Sequence, residues 1–406
     1  MNFQSKGVAG NLFKFPGLQD ADVLGDRAPA SPARTPVATS PVQTKLERAA
    51  KLYQESIYPS AVKVARGERL RAPLVVDLDP TSFCDLACPE CISTGVLNQG
   101  QFPRRRLEQL AEEMASAGVQ AVILIGGGEP LMHKAVGRVM EILHSAGIRI
   151  GLVTNGTLID RHLDDLAARL SWIRVSVDAA TPETYDQFRP SRSGANQFPK
   201  IVANMRRLAR CKEGKLGYSF LLMQRRDDSG RVTGSNYHEV LQAGLLARSI
   251  GCDYFEIKAM MNDDHKVAEQ TEADVALVSR QLETLRTLES EHFRLLESST
   301  WRELSRTAPE AQVKDYRTCR IAELRTTITP SGVYICAYHR GDPGARLGDA
   351  IATSLTKMWS EAKVEAVNPA TDCQFHCARH ESNLELDRIG ISPDAGVVQA
   401  DYDPFL

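Results

Sequence analysis

The sequence predicts an α/β protein: a partial (β/α)6 barrel of parallel strands, followed by a smaller C-terminal unit built on a hairpin and helices. Two observations carry this. Apolar, strand-like runs alternate with helix-period segments six times between residues 73 and 262. The rhythm then stops, and a hairpin bracketed by cysteines follows. The first strand candidate is 73-PLVVDLDP-80, and 103-PRRRLEQLAEEMASAG-118 has apolar residues at helical spacing. The run 119-VQAVILIGGGEP-130 reads as a buried strand ending in glycines. Helix 133–147 then precedes strand 148–157, helix 159–169 precedes strand 172–179, and helix 196–211 precedes strand 216–223. Helix 237–250 leads to the sixth strand, 252–260. Strands rich in Val, Ile and Leu between helices imply a parallel sheet buried on both faces. Six units are too few for a closed eightfold barrel, so the sheet is expected to stay open. Chemistry in such folds sits at the C-terminal ends of the strands, where each polar motif of this chain falls.

Around this barrel the sequence divides further. Residues 1–45, rich in Ala, Pro, Ser and Thr, are expected to be a disordered tail, and 46–72 a helical leader broken near Pro59 that packs on the barrel. Residues 263–315 read as a helical linker, 316–385 as the C-terminal unit with its hairpin at 325–340, and 386–406 as a tail. The formal net charge of -2 gives no general attraction to nucleic acid or to an anionic membrane. No apolar run approaches the roughly 20 residues that cross a bilayer. The N-terminus lacks the apolar core of a secretory signal, so a cytoplasmic protein is expected. Nine cysteines, an odd number, in a reducing compartment argue against a disulfide framework. Their two groupings, early and late, argue for two metal centres.

The early group lies in 83-FCDLACPECI-92, where Cys84, Cys88 and Cys91 are spaced C-x3-C-x2-C. Thiolates suit zinc, copper(I) and iron–sulfur clusters. Zinc needs a fourth ligand, for which Asp85, Glu90 and the more distant His133 are candidates. A four-iron cluster on three cysteines leaves one iron open. This spacing after the first strand of a parallel α/β sheet resembles the radical S-adenosylmethionine (radical SAM) superfamily. The resemblance implies a 4Fe-4S cluster whose open iron chelates SAM, and reductive cleavage of SAM to a 5′-deoxyadenosyl radical that abstracts a substrate hydrogen. It also implies SAM contacts. Gly127, Gly128 and Glu129 would hold the amino group, and Ser176 and Asp178 the ribose hydroxyls. Asn155 would add a polar contact, Arg189 or Arg192 would meet the carboxylate, and 220-FLLM-223 would offer adenine an apolar surface. Glu90 stands where many members carry an aromatic residue.

The late group, Cys319, Cys336, Cys373 and Cys377, brackets the hairpin and completes a set of four. Zinc is chemically acceptable there, with His376 or His380 as substitutes. The pattern also resembles the SPASM domains and their shortened form, the twitch domain. That resemblance implies one auxiliary 4Fe-4S cluster, fully ligated by protein.

A fully ligated cluster suits electron transfer, so the expected outcome is net oxidation of the substrate. A redox-neutral decarboxylation, dehydration or epimerisation is the alternative. Cys211 and Cys252 are placed at the bottom of the barrel, away from the site, which disfavours a thiol-quenched epimerase. Polar groups gather at the strand tops: Glu256, Lys258, Asn262, Asp263, Asp264 and His265, then Tyr338, His339 and Arg340 beyond the hairpin. Glu256 and Lys258, two apart on one strand, share a face. With Tyr338 they are the expected catalytic side chains. Such a collection suits a polar small molecule, a sugar, aminocyclitol or nucleoside, in natural-product biosynthesis. The expected electron donor is a flavodoxin or ferredoxin, with no nucleic-acid or membrane partner. Maturation of a ribosomal peptide is the rival enzyme reading. A structural zinc protein is the non-enzyme one.

Overall fold

The computed structural model describes residues 49–262, 265–268, 270–305, 312–393, 398–400 and 403–406. The expected N-terminal tail and the pair Asp263 and Asp264 lie outside the described residues. The described strands are β1 (Val75–Leu78), β2 (Ala121–Leu124), β3 (Arg149–Thr154), β4 (Trp172–Ser176), β5 (Lys215–Leu222), β6 (Gln224–Arg226), β7 (Val232–Ser235), β8 (Tyr254–Ala259), β9 (Arg294–Glu297), β10 (Arg325–Thr329), β11 (Gly332–Tyr334) and β12 (Arg346–Gly348). Ten of them form one sheet in the order β12-β11-β10-β1-β2-β3-β4-β5-β8-β9, and β6 and β7 pair separately.

The six strands read from the sequence are β1 to β5 and β8, neighbours in that order and all parallel. Their alternate residues face the surrounding helices: Val76 and Leu78, Ile150 and Leu152, Tyr218 and Phe220, Phe255 and Ile257 are all buried in one core with Leu110, Met140 and Met205. The opposite residues, among them Asp77, Arg174, Ser176, Glu256 and Lys258, face the lumen. That split is why each strand reads as apolar yet carries isolated charges.

The sheet is wider than the six-unit reading. The 267–306 segment does contain helices, Glu272–Arg286 and Ser299–Leu304, but between them β9 pairs parallel with β8. The hairpin forms and turns at Pro330 and Ser331 as expected, but it does not stand apart. Strand β10 pairs parallel with β1, from Val75↔Arg325 to Leu78↔Ile328, so the four-cysteine region is built onto the edge of the barrel sheet. A parallel edge strand left bare would expose a row of unpaired backbone groups, and β10 covers it.

The N-terminal end of the lumen is closed. Trp172 and Tyr254, each the first residue of its strand, turn inward. A Cβ on Gly151 would sit 2.2 Å from the Trp172 ring and one on Gly217 2.0 Å from the Tyr254 ring, so both positions are glycine by necessity. Phe405 packs edge-on against Trp172 at 5.4 Å. The stretch 386–406 thus differs from the expected tail: a helix runs to Ile391, and Phe405 and Leu406 are buried with the leader residues Leu52, Ile57 and Val64. Pro59 lies in the first turn of helix Tyr58–Ala65, where its missing N–H costs nothing.

Candidate active site

The three-cysteine loop follows β1 and rests on the tops of its neighbours. Phe83 O accepts from Glu129 N at 2.8 Å, and a Cβ on Gly128 would lie 2.1 Å from the same oxygen. Ala87 N donates to Pro190 O at 2.8 Å, and Arg192 reaches Asp85 O through its backbone and Cys84 O through Nε, both at 3.0 Å. Asp85 accepts from Asn155 Nδ2 at 2.7 Å and from Thr157 Oγ1 at 2.6 Å. Cys84, Cys88 and Cys91 themselves stay partly exposed.

Each fourth ligand proposed for zinc is engaged elsewhere. Asp85 is held as described. Glu90 pairs with Arg225, with Nη2 2.9 Å from Oε2. His133 Nε2 lies 2.9 Å from Phe102 O, and its Nδ1 accepts from Ala135 N at 3.2 Å. Among the described residues, no three His, Cys, Asp or Glu side chains converge as ligands of one ion. The cysteines share in this, their sulfurs not being drawn together around one ion; what favours a cluster with one open metal is three thiols whose candidate fourth partners are engaged elsewhere.

Of the residues expected around SAM, Glu129, Asn155 and Arg192 contact this loop. Glu129 is buried and accepts from Thr154 Oγ1 at 2.7 Å, Asn155 N at 2.7 Å and Leu131 N at 3.1 Å. Burial raises its carboxyl to about 7 against the pull of those bonds, so an ammonium group would be a welcome neighbour. Gly127 N donates to Asp79 Oδ2 at 3.0 Å. Asp178, two residues beyond β4, has φ of 60° and its carboxylate is already in use, accepting from Leu221 N at 2.7 Å and pairing with Arg189 at 2.5 Å. Arg189 lies close enough to Cys88 for burial, which works against its charge, to be offset by Asp178 and Cys88 together. Arg189 therefore links the end of β4 to the cysteine loop, while Arg192 clamps the loop backbone. Ser176 is opposite Ser219 on the lumen face. In 220-FLLM-223, Phe220 and Leu222 belong to the helix-facing core, which leaves Leu221 on the lumen side.

Glu256 and Lys258 do share a face, and Arg174 joins them: Arg174 Nη1 and Lys258 Nζ lie 3.3 and 3.4 Å from Glu256 Oε2. Burial, then the Arg174 charge, lowers Lys258 to about 8. Tyr338 keeps other company, its ring 4.9 Å from that of Phe375 and 5.8 Å from His265. Arg174 was not singled out from sequence, although it stands two before Ser176 on the same strand face. Asp79 was also missed. Its carboxyl is buried against Arg340 at 2.6 Å, and burial holds it up at about 6. Two acids two apart in 73-PLVVDLDP-80 were the available signal.

All four late cysteines line one pocket together with Tyr338, His339 and Arg379. Asn383 Nδ2 lies 3.6 Å from Cys319 Sγ, and His339 Nε2 3.3 Å from Cys373 Sγ. Arg379 donates to Asp77 at 2.8 Å, joining the cavity wall to β1. The possible histidine substitutes turn away: His376 to Ser299 at 2.9 Å and to Glu303, His380 to Tyr316 at 3.1 Å. Burial, then the neighbouring cysteines, raises Cys319 and Cys373 to about 12, and a cationic metal core would favour their thiolates. The donor chemistry fits such a core.

Residues 78–223 match the family described as the Radical SAM superfamily. The AdoMet-dependent heme synthase of Methanosarcina barkeri is 33% identical over 190 residues, which is 46% of this chain and 50% of the relative. The mycofactocin maturase MftC of Mycobacterium ulcerans is 29% identical over 146 residues, 34% of this chain and 37% of the relative. Among solved structures, Streptococcus suis SuiB bound to S-adenosylmethionine matches with a TM-score of 0.54 at 15% identity, over 79% of this chain and 75% of that one. SuiB has also been solved bound to the precursor peptide SuiA. The chain spans about half or less of the length of the curated relatives it matches. Over residues 78–223 the chain is thus similar to the radical SAM superfamily, and the likeness to SuiB is one of fold. No helix among the described residues is long and apolar enough to cross a membrane.

Proposed function

We propose that this chain is a radical SAM oxidoreductase in which Cys84, Cys88 and Cys91 hold the SAM-binding cluster and Cys319, Cys336, Cys373 and Cys377 an auxiliary 4Fe-4S cluster. Once bound, the first cluster supplies the electron that splits SAM into methionine and a 5′-deoxyadenosyl radical able to take a hydrogen atom from the substrate, and the second offers an acceptor for the electron left behind. Glu129 receives the SAM ammonium. Gly127, Gly128 and Asn155 shape the same wall. Ser176 and Asp178 border the ribose, and Arg189 keeps Asp178 oriented beside the cysteine loop. Glu256 and Lys258 meet the substrate from β8, and Tyr338 meets it from beside the second centre. The observation that carries the oxidative reading is the single cavity lined by all four late cysteines and tied to β1 through Arg379 and Asp77.

The substrate read from the polar lumen is a charged or hydroxylated small molecule. The maturase among the relatives and the peptide complex of SuiB support a second reading, in which a peptide carries the reacting group. A flavodoxin- or ferredoxin-type donor and a reducing, cytoplasmic setting complete the proposal. The test is anaerobic reconstitution followed by incubation with SAM and dithionite. 5′-Deoxyadenosine is expected, along with about eight iron atoms per chain. Zinc in place of iron, or no cleavage of SAM, overturns it.

A further inference from the structure

Arg174, Glu256 and Lys258 form a layer across β4 and β8 just above the ring floor of Trp172 and Tyr254. Two cations share one carboxylate there: Arg174 Nη1 at 3.3 Å and Lys258 Nζ at 3.4 Å converge on the same oxygen, Glu256 Oε2. Arg174 Nε is buried and has no hydrogen-bond partner among the described residues. The remaining charges around the layer do not cancel the excess. Arg325, on β10 across the lumen, adds a further cation whose charge repels that of Arg174 and whose own partner is Asp77. Asp178 lies close enough to favour the Lys258 charge, but it is paired with Arg189. Side chains of Arg174, Glu256 and Lys258 are between 16% and 26% exposed, so water screens them only in part. A half-buried site with an unbalanced positive charge and an unused guanidinium donor is short of one anion.

We propose that this layer is the receptor for a carboxylate of the substrate, so that the molecule oxidised is an acid bound through Arg174 and Lys258. The inference rests on the radical SAM reading for its location, and deepens it by naming the substrate class. Glu256 is the positioning residue: it holds the two cations together while leaving one charge free. SAM carries a carboxylate too, and the experiment separates the two sources.

Glutarate is titrated by calorimetry into the full-length reconstituted protein, with and without saturating SAM, and dimethyl glutarate serves as the neutral control. Glutarate is expected to bind with SAM present and the diester not to bind. Arg174→Gln and Lys258→Met are each expected to weaken glutarate about tenfold or more, the loss of a hydrogen bond to a charged group. Glu256→Gln should tighten it, because the layer then has two uncompensated cations; damage to the fold would move affinity the opposite way. The proposal is overturned if the diester binds as well as the acid, if the three variants bind glutarate like the parent, or if SAM displaces glutarate and loses affinity itself in both cation variants. Failure of the underlying radical SAM reading shows separately, as absence of 5′-deoxyadenosine from the parent protein.

Discussion

Cys84, Cys88 and Cys91 stand on a loop held mainly by its backbone and by Asp85. Phe83 O, Cys84 O, Asp85 and Ala87 N make the contacts, while the Leu86 N–H and Asn155 Nδ2, the latter at 3.9 Å, face the Cys84 sulfur. Cys319, Cys336, Cys373 and Cys377 line one pocket in which Asn383 and His339 approach two of the sulfurs at 3.6 and 3.3 Å. The first arrangement fixes the chain and leaves the space beside the sulfurs for a ligand from outside. The second brings protein side chains up to two of its four sulfurs. Hydrogen bonds to sulfur and exclusion of water are the levers that tune a cluster's potential, whereas an open coordination position is what a reacting ligand needs. On the proposed reading, one region binds the reacting ligand and the other exchanges electrons.

The largest effects come from removing the ligands. Cys84→Ala, Cys88→Ala or Cys91→Ala should lower 5′-deoxyadenosine formation by about a thousandfold or more, some 4 kcal/mol of barrier, and leave about four iron atoms per chain. Cys336→Ala or Cys373→Ala should also lower iron to about four, yet leave SAM cleavage standing while oxidised product disappears. Iron analysis and chromatography on the same samples check both. Should the two sets of variants give the same phenotype, the division of labour between the regions is broken.

Gly128→Ala tests what holds the first loop. Its Cβ would meet Phe83 O, a backbone atom that no rotamer change can move. Overpacking of this kind costs about 1–3 kcal/mol, and here the strain falls on the residue before Cys84. A lower melting temperature together with depleted iron at the first centre only is expected. Full loading at both centres would show that the loop does not need its seat on β2.

Much of this was legible in the sequence because it is local. The run 121-AVIL-124 is apolar on both faces and 172-WIRVSV-177 mainly on one, so the six strands could be read, as could the shared face of Glu256 and Lys258. What escaped is long-range pairing. Asp77 and Asp79 mark a polar lumen, but their partners Arg325, Arg340 and Arg379 lie some 250 to 300 positions away, and no local period points to them. The same distance hid the pairing of β10 with β1. Phe220 looked available to an adenine because the strand's face assignment depends on which side the helices cover.

Asn383→Leu probes the second region more gently. Asn383 Oδ1 accepts from Ile321 N at 3.0 Å while its Nδ2 approaches Cys319 Sγ, so the change strands a buried amide and removes a donor from the sulfur. A loss of about 1–3 kcal/mol in stability is expected from the stranded group. Potentiometry should also show the auxiliary centre alone shifting to lower potential, because reduced sulfur loses a donor that stabilised it. A shift at the first centre instead would contradict the separation.

The smallest effect sharpens the comparison most finely. Glu90, adjacent to Cys91, is the position where an aromatic residue was expected, and it was also one of the candidate zinc ligands. It forms a two-pronged pair with Arg225 on β6, whose guanidinium lies 4.8 Å from the centre of the Phe188 ring. An aromatic ring is thus present beside the loop, supplied by Phe188 and reached through a salt bridge. The pair is partly exposed, with side chains 19% and 29% accessible, so Glu90→Gln should cost only about 0.2–1 kcal/mol. Arg225→Lys should cost about as much, since lysine cannot make the fork. Iron content and SAM cleavage should be unchanged in Glu90→Gln if the loop is seated by its backbone and by Asp85. If that variant instead loses the first centre's metal, Glu90 is a ligand, the site closes at four protein donors, and the contrast between an open and a closed centre fails.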